Sequence, residues 1–404
     1  MDRFLIIADD FTGANDTGVQ LTKRGIETHV VLEGKSIRDK KISYVLDTES
    51  RALSEEKAYE RVRDQLIGIS SHKFDLVFKK VDSTIRGNIT SELKAVDEEF
   101  NPELIIFAPA FPDIGRITKD GIHYVNGNRI VETEFSRDPI KPVLEDNVQK
   151  LLELGYNEDV VHHNLNEIRD NNVLFKGARI HTFDSENNLD LEKIVVFAMN
   201  TGKKVLWVGS AGLANTILKV NKPFKPALGI VGSLSEVSRS QIRYAENKGV
   251  KVFKIDIVDI LRNKSENEYI NQAVEMLNKG NDLIITSAYD TDDYKETINI
   301  SKEMAMTKVE ISSLVQEILG KISVKTIKQV DISGIFVTGG DTAMGFLKNS
   351  NAQGSQIIEE IMTGIPMMRL VGGEFDGYIM VSKAGAFGNE EALYYSLNKI
   401  KEVQ

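Results

Sequence analysis

The feature that most constrains this chain is a repeated join. A short apolar run stops on a cluster of charged, hydroxylic or glycine residues, and a helical pattern follows at once. Leu5–Ala8 runs into Asp9-Asp10-Phe11-Thr12-Gly13, Ser43–Leu46 into Asp47-Thr48-Glu49-Ser50-Arg51, and Leu76–Lys79 into Lys80-Val81-Asp82-Ser83-Thr84-Ile85-Arg86-Gly87. Thr28–Leu32 and Leu104–Ala108 are further strand-like runs, while Ala14–Arg24, Ser54–Ile67 and Ile89–Phe100 carry a helical apolar period. Such alternation predicts a mostly parallel sheet with helices on both faces, which binds ligands at the carboxyl ends of its strands.

Alternating apolar residues around Asn126-Gly127 (122–131) break the rhythm and predict a β-hairpin insertion. Further strands are expected at Val195–Met199 and Val205–Val208. Two prolines and two lysines in 221–227 mark a linker, after which strands are expected at Leu228–Val231, Val250–Ile255, Leu283–Thr286, Ile335–Thr338 and Tyr378–Ser382, with a helix at Glu266–Asn278. A chain of 404 residues exceeds what one core usually serves. The expectation is therefore two α/β domains, 1–224 and 225–404, each a mostly parallel sheet flanked by helices, with the hairpin in the first. No sequence repeat relates the halves.

Adjacent carboxylates at the end of a buried strand are costly unless a cation or a proton in transfer sits beside them. If the three strands are parallel neighbours, one rim gathers Asp9, Asp10 and Asp82 with Arg51, Lys79, Lys80 and Arg86. Taken singly, such loops are solvated ion pairs worth about 0–1 kcal/mol; three strands that end alike favour a binding rim. Residues 108–124, with two prolines and two glycines, read either as an ordered loop over that rim or as a structural crossover.

The second half repeats the join with glycines. Residues 230–242 pass from a strand through a Gly-Ser turn into a hydroxyl-rich helix start, which suits phosphate or is simply N-capped by Ser235. Gly339-Gly340-Asp341-Thr342 joins strand to helix, and so does the segment holding Lys383, Gly385 and Gly388. Three such turns predict a nucleotide site built from backbone donors. It is not a conventional P-loop: Gly34-Lys35-Ser36 has His29 where the earlier glycine belongs, and no G-x-G occurs.

A net charge of −10 argues against nucleic acid as partner, and the absence of cysteine excludes disulfides, thiolate catalysis and Cys-ligated zinc. The six histidines form no ligand set, so metal ligands stay unassigned. No secretory leader or membrane-length apolar stretch is visible, and a cytoplasmic place is expected.

Together "IADDFTGANDTG" (7–18), "KKVDSTIRGN" (79–88), "APAFPDIGR…GIHYVNG" (108–127), "VTGGDTA" (337–343) and "SKAGAFG" (382–388) resemble the four-carbon acid sugar kinase family. The resemblance implies ATP-dependent phosphorylation of a terminal (C4) hydroxyl. D-threonate, giving 4-phospho-D-threonate, is the expected substrate, with D-erythronate or 3-oxo-tetronate as alternatives. It implies that the first domain holds the acid and the second the nucleotide. Matched motif by motif, Asp9, Arg51, Lys80, Val81, Asp82 and Ser83 resemble the substrate contacts, and Ser233, Gly339, Gly340, Asp341, Thr342 and Gly385 the ATP contacts. Leu234 stands where the family has a small residue, and Ser238 where it often has Thr.

On this reading Asp9 or Asp10 orients the hydroxyl and accepts its proton, which requires the backbone to turn at Phe11–Gly13. Arg51 and Lys80 take the substrate carboxylate, Mg²⁺ accompanies ATP, and Asp341 is the alternative base. The expected partners are the sugar acid and ATP, with neither nucleic acid nor membrane, and a homodimer is allowed for. Two rivals fit less well. A haloacid-dehalogenase-type phosphatase needs Asp-x-Asp, but Phe11-Thr12 follow Asp10; a non-catalytic sugar-acid-binding protein leaves the three glycine turns unexplained.

Overall fold

The run Phe4–Ala8 becomes a strand because all five residues are buried, so both of its faces need cover. The other strands at the centre of the two sheets are also buried at nearly every residue in the computed structural model, which describes residues 3–39, 41–175, 177–232, 235–262 and 264–403. The chain divides into two compact units, Met1–Pro223 and Phe224–Gln404.

The first unit reads, in order, β1 (Phe4–Ala8), α1 (Phe11–Thr22), β2 (Thr28–Val31), β3 (Ser43–Asp47), α2 (Glu55–Leu66), β4 (Leu76–Lys80), α3 (Ile89–Phe100), β5 (Leu104–Ala108), β6 (Arg116–Lys119), β7 (Ile122–Val125), β8 (Asn128–Arg129), α4 (Val148–Glu153), β9 (Val160–His163), α5 (Leu165–Arg169), β10 (Ile180–Phe183), α6 (Asn188–Met199), β11 (Val205–Gly209) and α7 (Ala211–Asn221). The main sheet runs β2-β3-β1-β4-β11-β5-β10-β9, and every pairing in it is parallel. One face packs α2, α3 and α4 against Leu5, Ile7 and Leu46; the other packs α1, α6 and α7 against Phe4, Ile6 and Trp207. β1 therefore sends its helix to one face while its neighbours β3 and β4 send theirs to the opposite face. At such a point the chain ends part and leave a crevice.

Three expectations change here. Val195–Met199 is not a strand but the end of α6. Asn187 and Asp190 form a reciprocal cap, and Leu191, Ile194, Val195 and Ala198 are buried at helical spacing. α1 begins at Phe11 rather than Ala14, because Asp10 caps it. β9 and β10 were not expected at all. The hairpin is present: Asn126 (φ 49°) and Gly127 (φ 84°) make a turn with two left-handed residues. β6 pairs with β7 and extends it to a three-stranded antiparallel sheet.

The second unit reads β12 (Ala227–Val231), α8 (Glu236–Asn247), β13 (Lys251–Lys254), α9 (Ile257–Leu261), α10 (Glu266–Asn278), β14 (Leu283–Thr286), α11 (Thr291–Glu303), α12 (Lys308–Ile327), β15 (Gly334–Thr338), α13 (Gly340–Asn349), β16 (Gly354–Met362), β17 (Ile365–Val371), β18 (Ile379–Lys383) and α14 (Ala392–Glu402). Its sheet runs β13-β14-β12-β15-β18-β17-β16. Five strands are parallel; β17 and β16, unexpected from the sequence, add an antiparallel edge. α8 and α14 cover one face, and α10, α12 and α13 the other. β12 thus sits, like β1, between two strands whose helices lie on the opposite face. No helix among the described residues is long and apolar enough to cross a membrane.

Candidate active site

In the first unit the register brings three strand ends level, with Ala8 opposite Asp47 and Ile7 opposite Lys79. Asp9 follows β1 directly, and its carbonyl accepts the backbone N–H of Ser50 at 3.1 Å and of Arg51 at 3.2 Å. That main-chain pairing aims Arg51 at the end of β1. Its guanidinium donates from Nε to Asp9 Oδ2 (2.7 Å), from Nη2 to Asp9 Oδ1 (2.9 Å) and Asp10 Oδ1 (3.0 Å), and from Nη1 to Asp10 Oδ2 (2.7 Å). Four of its five N–H donors hold the two aspartates, and one on Nη1 remains. The sequence reading gave Arg51 to the substrate carboxylate; its main contacts here are Asp9 and Asp10. Burial works against the Arg51 charge, but the two carboxylates, with Asp82, outweigh it and hold the guanidinium above its usual value.

Asp10 also caps α1, accepting from Gly13 N–H at 3.0 Å. The turn expected over Phe11–Gly13 is thus the first turn of α1, and Arg51 gathers both carboxylates on one side. Asp9 is only 3% exposed, Asp10 26%. Gly87 closes the site from the β4 side. Its φ is +104°, and a Cβ there would stand 3.3 Å from Asp9 Oδ2 and 3.4 Å from Arg51 Cγ.

The two lysines of β4 separate, because adjacent strand residues face opposite ways. Lys79, expected on the rim, is fully buried and paired to Glu92 at 2.7 Å. Burial lifts the Glu92 carboxyl, with the Lys79 charge opposing. Lys80 points to the rim; its Nζ donates to the Val81 carbonyl at 2.9 Å, and a Cβ on Gly13 would lie 3.2 Å from it. Burial depresses its pKa, while Asp9 and Asp82 pull the other way. Val81 offers no side chain to a ligand, because it belongs to the core, and its N–H is bonded to the Gly209 carbonyl. Burial would raise Asp82, but bonds from Arg86 (2.7 Å) and Thr84 and the Arg51 charge hold it below the usual carboxylate value.

Two motif residues to which the sequence assigns no role, Asn88 and His123, fix these loops. Asn88 Nδ2 donates to the carbonyls of Ser50 (3.0 Å), Arg51 (3.3 Å) and Leu53 (3.0 Å), so it ties the Arg51 loop to α3. His123, on β7, is fully buried; its Nε2 meets the Ser83 carbonyl at 2.9 Å and its Nδ1 meets Thr118 Oγ1 at 3.1 Å. Burial holds the ring neutral, with its pKa lowered to about 4, so Nε2–H is the donor to Ser83. The segment 108–124 is thus neither a bare loop nor a plain crossover, since its insertion braces the Asp82–Thr84 segment. Asp47 is buried with Oδ2 unpartnered; burial first, against the Glu49 N–H bond and helped by the Glu49 and Asp10 charges, raises it to about 6.

In the second unit Val231, Thr338 and Lys383 lie in register, so the turns that follow β12, β15 and β18 are side by side. Gly339 has φ +96° and caps α13, and its N–H donates to the Lys383 carbonyl at 2.8 Å. A Cβ on Gly340 would meet nothing within 4 Å, so there is open space beside this helix start, where unpaired N–H groups of a first turn can receive an anion. Asp341 is exposed and Thr342 buried. Ser233 and Leu234 lie outside the described residues. Ser235 and Ser238 do not offer their hydroxyls to a ligand: both donate to the Gly385 carbonyl, at 2.7 and 3.0 Å. Lys383 Nζ donates to the same carbonyl and to that of Ala384, each at 3.0 Å, and burial lowers it to about 8.

Against known proteins, residues 4–217 match a family described as a sugar-binding N-terminal domain, and residues 228–393 one described as a nucleotide-binding C-terminal domain. A D-threonate kinase from Salmonella typhimurium is 31% identical over 99% of both chains. The chain belongs to the four-carbon acid sugar kinase family. A D-erythronate kinase from Heliobacterium modesticaldum (28% identical, 99% of this chain and 98% of that one) is another relative in it. So is a 3-oxo-tetronate kinase from Haemophilus influenzae (23%, 97% and 98%). A Bordetella bronchiseptica protein, crystallised as a domain-swapped dimer with bound citrate, shares the fold of this family member at a TM-score of 0.70 and 24% identity, over 99% and 98% of the chains.

Proposed function

We propose that this chain is an ATP-dependent kinase that phosphorylates the C4 hydroxyl of a four-carbon sugar acid, D-threonate before D-erythronate or 3-oxo-tetronate. The observation that carries the reading is the Asp9–Arg51–Asp10 cluster, set at the crevice around β1 in the unit that matches a sugar-binding domain. The Asp9 and Asp10 carboxylates orient the hydroxyl and take its proton late in transfer. Lys80 and the remaining Arg51 donor meet the substrate carboxylate, with Asp82 and Ser83 positioned by Arg86 and His123. Gly339, Gly340, Thr342 and the Gly385 turn cradle the phosphates of ATP in the second unit.

Among the described residues no group of three or more carboxylate or imidazole side chains could hold a metal by itself. That fits Mg²⁺, which takes one or two carboxylates and completes its shell with phosphate and water. Asp341, exposed in the first turn of α13, would supply such a carboxylate, and it stays the alternative base. When bound with ATP, the ion would neutralise the β- and γ-phosphate oxygens. The expected setting is the cytoplasm, with a homodimer as the assembly to check by sedimentation.

The test is ADP release by the purified chain with ATP, Mg²⁺ and each of D-threonate, D-erythronate and 3-oxo-tetronate, with and without excess chelator. Turnover with one acid, abolished by chelator, is expected. No turnover with any acid, while ATP binds, would remove the proposal.

A further inference from the structure

We propose that Glu92 and Lys79 are positioning residues for the acid site, an inference that rests on the kinase reading above. From inside the core the pair fixes the strand ends that carry Asp9, Arg51 and Lys80. Lys79 stands opposite Ile7 on β1, two residues before Asp9, and its side chain turns to α3. There Nζ meets Glu92 Oε2 at 2.7 Å, with both side chains at most 2% exposed. The surroundings on β4 and α3 are apolar: Val77, Ile89, Leu93 and Val96 belong to one core. Desolvation of two charges offsets most of their attraction, so apolar residues of similar volume would hold this place about as well. Stability alone does not account for the pair.

Its contacts do. On the β4 side Lys79 Nζ also donates to the carbonyl of Lys80, the residue that turns to the rim, at 3.0 Å. On the β3 side the Ser50 hydroxyl bonds the Glu92 carboxylate, and Ser50 directly precedes Arg51. Ser50 Oγ lies 2.8 Å from Thr48 Oγ1, which donates to the Ala8 carbonyl at 2.8 Å, in the last residue before Asp9. On α3 the Glu92 N–H donates to the Asn88 carbonyl at 2.9 Å, and the Asn88 side chain holds the carbonyls of Ser50, Arg51 and Leu53. Thr48, Ser50, Lys79, Asn88 and Glu92 are all buried. One carboxylate therefore reaches three strand ends, and the Asp9 charge is near enough to act on it. The pair works through Asp9, Arg51 and Lys80, where a displacement of about 1 Å can cost about 10²-fold in rate.

Steady-state kinetics and thermal melting of a paired replacement test this. Lys79→Met with Glu92→Leu removes both charges and roughly keeps the volume, so this double variant is expected to melt close to wild type. Its kcat/KM for the acid should fall about 10²-fold, mostly in kcat, with KM for ATP unchanged. Lys79→Met with Glu92→Gln, whose amide carbonyl still accepts from Ser50, should recover about tenfold of that loss. Ser50→Ala should lower kcat for the acid in the wild-type background and cost nothing further in the leucine double variant, because both changes break one link. A folded leucine double variant with wild-type kcat/KM would overturn the proposal while leaving the kinase reading intact. So would equal losses in the leucine and glutamine versions, a matching rise in KM for ATP, or full additivity with Ser50→Ala. If the leucine double variant does not fold, Ser50→Ala decides: a loss confined to the acid supports the proposal, and an unchanged kcat/KM overturns it. A wild-type chain that releases no ADP with any of the acids would overturn both.

Discussion

Arg51 holds Asp9 and Asp10 with one guanidinium, Nε 2.7 Å from Asp9 Oδ2 and Nη1 2.7 Å from Asp10 Oδ2. A lysine has the charge but not the planar fork, so it can satisfy one carboxylate and not both. Arg51→Lys is expected to lower kcat/KM for the sugar acid by about 10²–10³-fold, as loss of a preorganised donor does, with KM for ATP unchanged. Steady-state kinetics with each substrate varied in turn would check this, and equal changes in both KM values would place Arg51 outside the acid site.

Asp10 has two tasks that one substitution separates. Asparagine caps a helix as well as aspartate does, so Asp10→Asn keeps the bond from Gly13 N–H and should melt within a degree or two of wild type. With its charge gone, kcat should fall by about 10²–10⁴-fold if the carboxylate shares in proton transfer. Asp9→Asn should be at least as severe. An Asp341→Asn variant that loses kcat while both of these keep it would move the base to the second unit.

Gly339 and Gly340 should respond differently to a side chain. Gly339 has a left-handed φ, so Gly339→Ala costs about 1–2 kcal/mol of stability. Gly340 has neither a left-handed φ nor a neighbour within 4 Å of its Cβ, so Gly340→Val should leave thermal stability nearly intact. It should nonetheless weaken ATP steeply while acid binding survives. Calorimetry with each ligand decides, and retained ATP affinity would show that phosphate does not approach this turn.

His123→Ala leaves the Ser83 carbonyl and the Thr118 hydroxyl without their partner, at a cost of about 1–3 kcal/mol for each buried group, and should raise KM for the acid but not for ATP. His123→Gln, with an N–H in reach of Ser83, should recover part of that loss; equal kinetics for the two variants would make the histidine merely a packing residue. The wild-type ring titrates near 4 when folded and near 6.5 when unfolded, so its contribution is complete above pH 6.5 and disappears as pH falls toward 4. The glutamine variant should lack that slope in denaturant titrations.

Asp47 has the opposite sign. Its folded pKa of about 6 lies above the unfolded carboxylate value, so the buried charge costs nothing below pH 4 and its full penalty above pH 6. Asp47→Asn should gain about 1–3 kcal/mol over wild type above pH 6, from a shift of roughly two units, and close to nothing at pH 4. Chemical denaturation at several pH values reads the difference directly; a gain independent of pH would mean that Asp47 is not the titrating group.

Much of this arrangement was legible because apolar runs such as Leu5–Ala8 and Leu104–Ala108 stop abruptly at polar clusters, and parallel sheets collect such ends on one rim. What was hidden depends on contacts far apart in the chain. Lys79 and Lys80 look alike in sequence; the pleat sends one to Glu92 in the core and the other to the rim. Val195–Met199 reads as a strand by its β-branched residues, yet the cap at Asn187 carries the helix through it. β16 is almost wholly exposed, so no apolar alternation announces it. The bond from His123 to Ser83 spans 40 positions. Arg51 was rightly placed on the rim, but its grip on two carboxylates follows from main-chain bonds to Asp9 that no spacing encodes.

Ala8 is core and Asp10 already caps α1, so Asp9 alone separates strand from helix. An insertion or deletion here would rotate α1 off its packing or swing the carboxylates off the crevice. The segments after β3 and β4 are longer, seven and eight residues, and are held at points by Asn88 and His123 rather than throughout. Divergence in substrate range is therefore expected to be written as length and sequence change after β3 and β4, while the join after β1 keeps one length.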